Sequence, residues 1–346
     1  MCTCWRAHLR QKLCELTVPA SADGQPAINP SHWVRSILAG SSMRRKPFPW
    51  HILVFLAPAV AIYTLFMIYP LIGSLLLSLQ NQGPDGATVF VGLQNYLTLF
   101  TSKTWSEPFW NAFWNNVEFF LYHMLIQNPV GLLLALLLAS RIRGGWLYRT
   151  LIFTPTILSV VIVGFAWRLI LNPAWGVSQG ILDAVGLGSL NRPWLGLEST
   201  ALPTLSLISV WQNIGIPMML FLAALVRIPD ELLEAARVDG AGAWTVFWRI
   251  QLPLILPTVG IVAVLTFVGN FNAFDLIYAT QGALAGPNFA SDILGTFFFR
   301  TFFGYQLQPG DPYMGATVAG VMLLIILTGV LIYLFAWQRR LQNIQF

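Results

Sequence analysis

The chain has 346 residues, of which 56% are hydrophobic and only 10% charged, and its mean hydropathy is +0.66. So little polar surface excludes an ordinary soluble domain, and recurring apolar runs of bilayer length mark a polytopic membrane protein. The net charge of +5 does not describe a nucleic-acid surface, because Arg6, Arg10, Lys12, Arg35, Arg44, Arg45 and Lys46, opposed only by Glu15 and Asp23, account for all of it.

Residues 1–46 form this basic tail, expected to be disordered and cytoplasmic. It lacks the apolar centre of a signal peptide. Cys2, Cys4 and Cys14 all lie in it, with no fitting partners nearby, so no metal site is expected. Met43-Arg44-Arg45-Lys46 followed by an apolar run reads as a natural start, and the first 42 residues are expected to be dispensable.

Residues 47–342 are expected to be one all-α, six-span transmembrane domain. The spans fall at about Ile52–Leu79, Ala112–Ala139, Thr150–Leu171, Leu202–Val226, Leu254–Thr280 and Gly315–Trp337. Open sheets cannot cross lipid, and the alternation of a barrel is absent, so these are helices. With the N-terminus inside, the inner segments hold the seven tail cations with Arg141, Arg143, Arg149, Arg227, Arg237, Arg249, Arg339 and Arg340; the outer side holds only Lys103, Arg168, Arg192 and Arg300. That bias puts both termini in the cytoplasm. The outer loops, about Gln80–Asn111, Asn172–Ala201 and Gln281–Met314, carry turn signals and tryptophans.

Between the fourth and fifth spans lies IPDELLEAARVDGAGAWTVFWRIQLPLILP, Ile228 to Pro257. Asp230 suits a helix cap, and Glu231 and Glu234 suit the positive end of a helix dipole. Gly240 and Gly242 permit the left-handed geometry that ends a helix. A second short helix is expected from Ala243 to Ile250. The result is a helix-Gly-helix elbow outside the lipid, whose small residues Ala235, Ala236, Gly240, Ala241, Gly242 and Ala243, beside Asp239, let another protein approach the backbone closely. Glu234-Ala235-Ala236, Asp239 to Gly242 and Ile250-x-Leu252-Pro253 together resemble the EAA loop of inner-membrane permeases of binding-protein-dependent ABC importers, and the resemblance is nearest to the carbohydrate-uptake branch, the maltose and glycerol-phosphate type.

Ser209, Trp211, Gln212 and Asn213 in the fourth span, with Thr266 and Asn270 in the fifth, form a polar set. Amides and hydroxyls bond sugar hydroxyls, and an aromatic ring covers the apolar face of a sugar. The alternative use of such groups is hydrogen bonding between helices. In a continuous helix Asn270 and Asn272 project about 200° apart, so both are not expected to face one cavity. The resemblance implies that the six residues fall where sugar permeases line their central cavity. Glu118 reads as water-facing or paired; His51 and His123 show no catalytic partner at a recognisable spacing, and no catalytic site is expected.

By resemblance, the chain is a permease subunit that imports a sugar or related glycoside or polyol. Its partners are a second homologous permease, two ABC ATPase subunits that dock on the elbow through Glu231, Glu234 and the small residues, and an extracytoplasmic solute-binding protein. The sequence holds no G-x-x-x-x-G-K-[ST] phosphate loop, so hydrolysis is expected of the ATPases and not of this chain. No cofactor is expected. The alternatives are a permease for glycerol phosphate or another small polar solute, and an ion-coupled secondary carrier. The span centres lack the carboxylates that such a carrier uses.

Overall fold

The computed structural model describes residues 50–338, apart from positions 141, 187 and 307. The basic tail, with its cysteines, Met43 and all seven of its cations, lies outside the described residues. The chain divides into two units at Ala61 and Ile62, and of the first unit the described part is one helical stretch, residues 50–61.

Among the described residues, four helices are long and apolar enough to cross a membrane: Val54–Leu77, Lys103–Ala139, Ala243–Gln281 and Pro312–Ala336. Two further spans are bent pairs, Gly145–Ile157 with Val160–Ile170 at 94° and Glu198–Asn213 with Gly215–Leu225 at 42°. Counting each pair as one span gives the expected six. We number them in chain order. The sequence treated the third and fourth as single rods, and both are broken. In the third, Leu158 takes an extended conformation and ends the first helix just after Pro155. A broken helix leaves carbonyls without partners. Here the Gln212 side-chain amide of span four donates to the Leu158 main-chain oxygen at 3.1 Å, and Thr156 Oγ1 donates to the Gln212 main-chain oxygen at 2.8 Å. The two bends are thereby fastened to each other.

Span two begins at Lys103 rather than near Ala112, because Trp105, Phe109 and Phe113 continue an apolar face that packs beneath Phe297, Val318 and Val321. The expected short helix from Ala243 to Ile250 is not separate. It runs without interruption into span five, since a proline in the first turn of a helix needs no amide partner.

Three prolines explain another regularity. A proline lacks its amide hydrogen, and its ring clashes with the carbonyl four residues earlier. Pro70, Pro129 and Pro253 each follow a π-helical turn, Thr64–Ile68, His123–Gln127 and Phe247–Gln251. In each case the residue before the proline bonds five residues back: Tyr69 to Thr64, Asn128 to His123, and Leu252 to Phe247. The wider turn moves the obstructing carbonyl aside.

Within the second unit, spans two, four and five share a core of Ala135, Leu138, Met218, Phe221, Leu222, Ile255 and Val262. Helix association in lipid depends on close packing, because no hydrophobic gain separates one helix from another. Gly131 supplies the close approach: a Cβ there would stand 3.1 Å from Pro217 Cγ. The segment between spans five and six is held down by carboxamides on span two. Asn111 donates to the Phe289 oxygen at 3.0 Å and Asn115 to the Asp292 oxygen at 2.9 Å. Asp292 is fully buried and pairs with Arg300 at 2.7 Å. Burial pushes its carboxyl up, while Arg300 and the Thr296 hydroxyl pull it back.

Candidate functional site

Spans two, four and five enclose a cavity of about 450 Å³. Span four brings Ser209, Gln212 and Asn213, span five brings Thr266 and Asn270, and the π turn of span two brings His123 and Gln127. Five of the six residues singled out in the sequence therefore line one space. Trp211 does not. It is 43% exposed and stands edge-on to Trp167 at 5.6 Å, on the far side of its helix. The rings that do reach the cavity are Phe119 and Phe274.

The break in span five overturns one geometric expectation. The helix ends at Phe271, and Phe274 has φ −153° and ψ −53°, outside helical geometry, before a new helix starts at Asp275. The 100° step per residue does not continue through Asn272. Asn270 and Asn272 consequently both line the cavity, with Ala273, Phe274 and Asp275 beyond them.

His123 is not isolated. Its Nδ1 lies 2.8 Å from the Phe119 main-chain oxygen, and its Nε2 lies 2.9 Å from Ser209 Oγ. A carbonyl only accepts, so in the neutral ring Nδ1 carries the proton and the Ser209 hydroxyl donates to Nε2. Asn128 and Thr266 also bond each other across spans two and five, at 3.1 and 3.2 Å. Sequence reading missed His123, Gln127 and Asn128. The spacing of His123 and Gln127, four residues apart on one helix face, was the available signal; Ser209 lies 86 residues away and left none.

The elbow is a second feature. A helix spans Asp230–Val238, and Asp230 begins it rather than capping it, because Pro229 holds the cap position. Gly240 has φ +79°, its amide donates to the Arg237 oxygen at 3.0 Å, and the Ala241 amide donates to the Ala236 oxygen at 2.9 Å. That is a Schellman helix end with glycine in the left-handed position. Gly242 then caps the next helix in extended geometry. Ile228 and Leu233 pack into the core of spans two, four and five. The other face is open: Glu231, Glu234, Ala235 and Asp239 are exposed, and Val238 and Trp244 are 88% and 73% exposed.

Residues 127–342 match the family model described as binding-protein-dependent transport system inner membrane component. The chain belongs to that family. It is 34% identical to the probable ABC transporter permease protein YurN of Bacillus subtilis (strain 168), over 79% of this chain and 91% of that protein. It is 31% identical to the arabinooligosaccharides transport system permease protein AraP of the same organism, over 81% of this chain and 86% of that one. A solved bacterial ABC transporter involved in the import of the acidic polysaccharide alginate is similar in structure, with TM-score 0.68 and 26% identity, covering 86% of this chain and 96% of the matched chain. The family places this chain in a membrane as a transport subunit.

Proposed function

We propose that the chain is one of two permease subunits of an ABC importer that moves a neutral sugar or related glycoside across the cytoplasmic membrane. The observation that carries the solute class is the lining of the cavity by carboxamides, hydroxyls and two aromatic rings, in a chain whose relatives include a permease for arabinooligosaccharides. Among the described lining residues Asp275 is the charged one, and no lysine or arginine joins it. Glycerol phosphate would call for cationic groups there, so that reading is the weaker one.

In this reading both termini and the elbow lie in the cytoplasm, in keeping with the excess of Lys and Arg there. Two ATPase subunits supply the hydrolysis. One of them docks on the open face formed by Glu231, Glu234, Ala235, Ala236, Asp239, Gly240, Ala241 and Gly242, with Val238 and Trp244 as apolar contacts. Leu233, packed in the core, transmits the movement to spans two, four and five. A solute-binding protein delivers the sugar from outside, and the second permease completes the pathway.

The test is uptake of a labelled neutral oligosaccharide by the reconstituted complex of both permeases, ATPases and binding protein. Uptake that needs ATP and survives collapse of ion gradients is expected. Uptake that persists without ATP and stops when the gradient collapses would overturn the reading in favour of a secondary carrier.

A further inference from the structure

Four aromatic rings form a chain that starts at the central cavity. Between centroids, Phe274 lies 4.9 Å from Tyr278 and 5.1 Å from Phe299, and Phe299 lies 4.9 Å from both Tyr278 and Phe303. Phe274 belongs to the break in span five, Tyr278 to the helix Asp275–Gln281, and Phe299 and Phe303 to the helix Leu294–Phe303. Two devices bring them together. Asn116 ties the Leu294 amide to the level of Asn270, and Gly295 lets its helix lie against the break, where a Cβ would collide with the Ala273 oxygen. The helix starts at the break and carries Phe303 about 14 Å along its axis, at 1.5 Å per residue, to a short antiparallel hairpin of Gly304–Tyr305 with Gln308–Pro309. In the proposed orientation that direction is outward.

The groups beside the rings argue against a lipid-facing surface. Asp275 and Tyr278, three residues apart on one helix face, are both exposed, as is Asn272. Ionisable side chains within spans face the bundle interior or a water-filled cavity, so this face meets water. Asn272 and Phe274 line the central cavity and also a second one of about 460 Å³, whose wall includes Phe298, Phe299 and Met322. The rings thereby continue the central cavity outward. At the junction Asn272 Nδ2 donates to the Val268 oxygen at 3.0 Å, which leaves its exposed side-chain oxygen to accept from a solute.

We propose that Phe274, Tyr278, Phe299 and Phe303 form an outer saccharide subsite that holds the sugar units trailing the one in the central cavity, and that the solute is an oligosaccharide. The proposal rests on the sugar-importer reading and narrows it. Sugar rings stack their C–H faces on aromatic rings while their hydroxyls stay in water. A row of rings offers a repeated surface to a solute that repeats. One relative of this chain is a permease for arabinooligosaccharides.

Phe303 is the position to test, because it is 64% exposed and lies outside the central cavity. Two probe series, maltose to maltotetraose and arabinobiose to arabinotetraose, are supplied to the complete transporter in proteoliposomes with saturated binding protein. ATP-dependent uptake of dimer, trimer and tetramer of at least one series is expected. Phe303→Ala is expected to lower the ratio of tetramer to dimer uptake about threefold to tenfold. Phe303→Leu keeps apolar bulk without a flat face and is expected to lower the ratio likewise, whereas Phe303→Trp is expected to keep it. The ratio is read within one preparation, so changes in assembly or stability cancel. A Phe303→Leu ratio equal to wild type, or equal losses for dimer and tetramer, assigns the ring to packing and overturns the subsite. Uptake confined to the dimer also overturns it, and a sugar importer still stands. ATP-dependent uptake of none of the probes overturns the sugar reading, and this proposal with it.

Discussion

Asn116 joins the cavity wall to the segment beyond it: its Nδ2 donates to the main-chain oxygen of Asn270 at 3.2 Å, and its Oδ1 accepts from the Leu294 amide at 3.3 Å. Both bonds serve chain ends. Asn270 lies in the last turn before span five breaks, where its oxygen also accepts from the Ala273 amide at 3.2 Å, and Leu294 opens the helix Leu294–Phe303, so its amide lacks a partner within its own helix. Asn116 itself is fully buried. Asn116→Leu fills the space and strands the Leu294 amide, which should cost about 1–3 kcal/mol, while the Asn270 oxygen keeps its bond from Ala273. Asn116→Asp keeps the acceptor for Leu294 and loses the donor to Asn270, and should cost less if its carboxyl is protonated. Thermal unfolding of the purified complex in detergent, read by the accessibility of a buried thiol reporter, is expected to rank wild type above Asn116→Asp and that above Asn116→Leu. Equal midpoints for all three would mean that water takes over these bonds.

Trp211 and Asn270 separate a lining role from a packing role. Asn270→Ala removes a carboxamide that lines the cavity and is expected to weaken the solute interaction by about 0.5–1.5 kcal/mol, which raises the half-saturating concentration severalfold. Trp211→Ala removes a ring that contacts Trp167 outside the cavity. It should lower stability by about 0.5–1.5 kcal/mol beyond the loss of area and leave half-saturation unchanged. Initial rates of ATP-dependent uptake over a range of solute concentrations, with thermal midpoints measured on the same preparations, distinguish the two patterns. A Trp211→Ala protein with impaired half-saturation and normal stability would return the indole to the solute path.

Much of this architecture was legible because the signals are local. Continuous apolar runs locate six spans, and Gly240 locates the helix end to the residue, since only a glycine takes the left-handed position there without strain. Ser209, Gln212, Asn213, Thr266 and Asn270 were legible as a set, because uncharged polar groups in lipid need partners or a cavity. What escaped depended on breaks and on distant neighbours. The bend at Leu158 and the break at Asn272 are stabilised by tertiary bonds from Gln212 and Asn116, which no window of sequence contains. Trp211 sits between two lining residues and still faces away, because adjacent helical positions diverge by about 100°.

Gly240 and Glu234 test the elbow from two directions. A Cβ at Gly240 would meet nothing within 4 Å, so a side chain there is opposed by backbone strain and not by a clash inside this chain. With φ at +79°, an L-residue costs about 1–2 kcal/mol. Gly240→Asn, which tolerates that region, should be mild, and Gly240→Leu should be severe because it adds strain and bulk on the docking face. Glu234 is exposed, and an exposed ion pair with an ATPase would contribute only about 0–1 kcal/mol. The expected order of impairment is Gly240→Leu first, then Gly240→Asn and Glu234→Ala close together. The measurement is co-purification of the ATPases and hydrolysis stimulated by loaded binding protein. Gly240→Leu with normal retention and normal stimulation would remove the elbow from the coupling role.

Pro129 tests whether the π turn of span two exists to shape the cavity. Its ring and missing amide force Asn128 to bond back to His123, and this wide turn carries both His123 and Gln127 into the site. Replacing Pro129 by alanine restores an amide donor and removes the clash with the Leu125 carbonyl. The turn is then free to relax to α geometry, which would rotate the preceding part of the helix by about 100° relative to the following part. Asn111, Asn115 and Asn116 oppose that rotation by their bonds to Phe289, Asp292 and Leu294 in the segment between spans five and six. The two demands conflict within the stretch that holds His123 against Ser209. Pro70 provides the control, because its π turn, Thr64–Ile68, contains no buried residue and lines no part of the cavity. Removing a proline from a helix relieves up to about 3 kcal/mol where the surroundings permit a regular helix. Neither variant should therefore lose stability, and Pro129→Ala is expected to lose most of its solute uptake while Pro70→Ala keeps it. Equal uptake by the two variants would show that the turn accommodates its proline and has no part in forming the site.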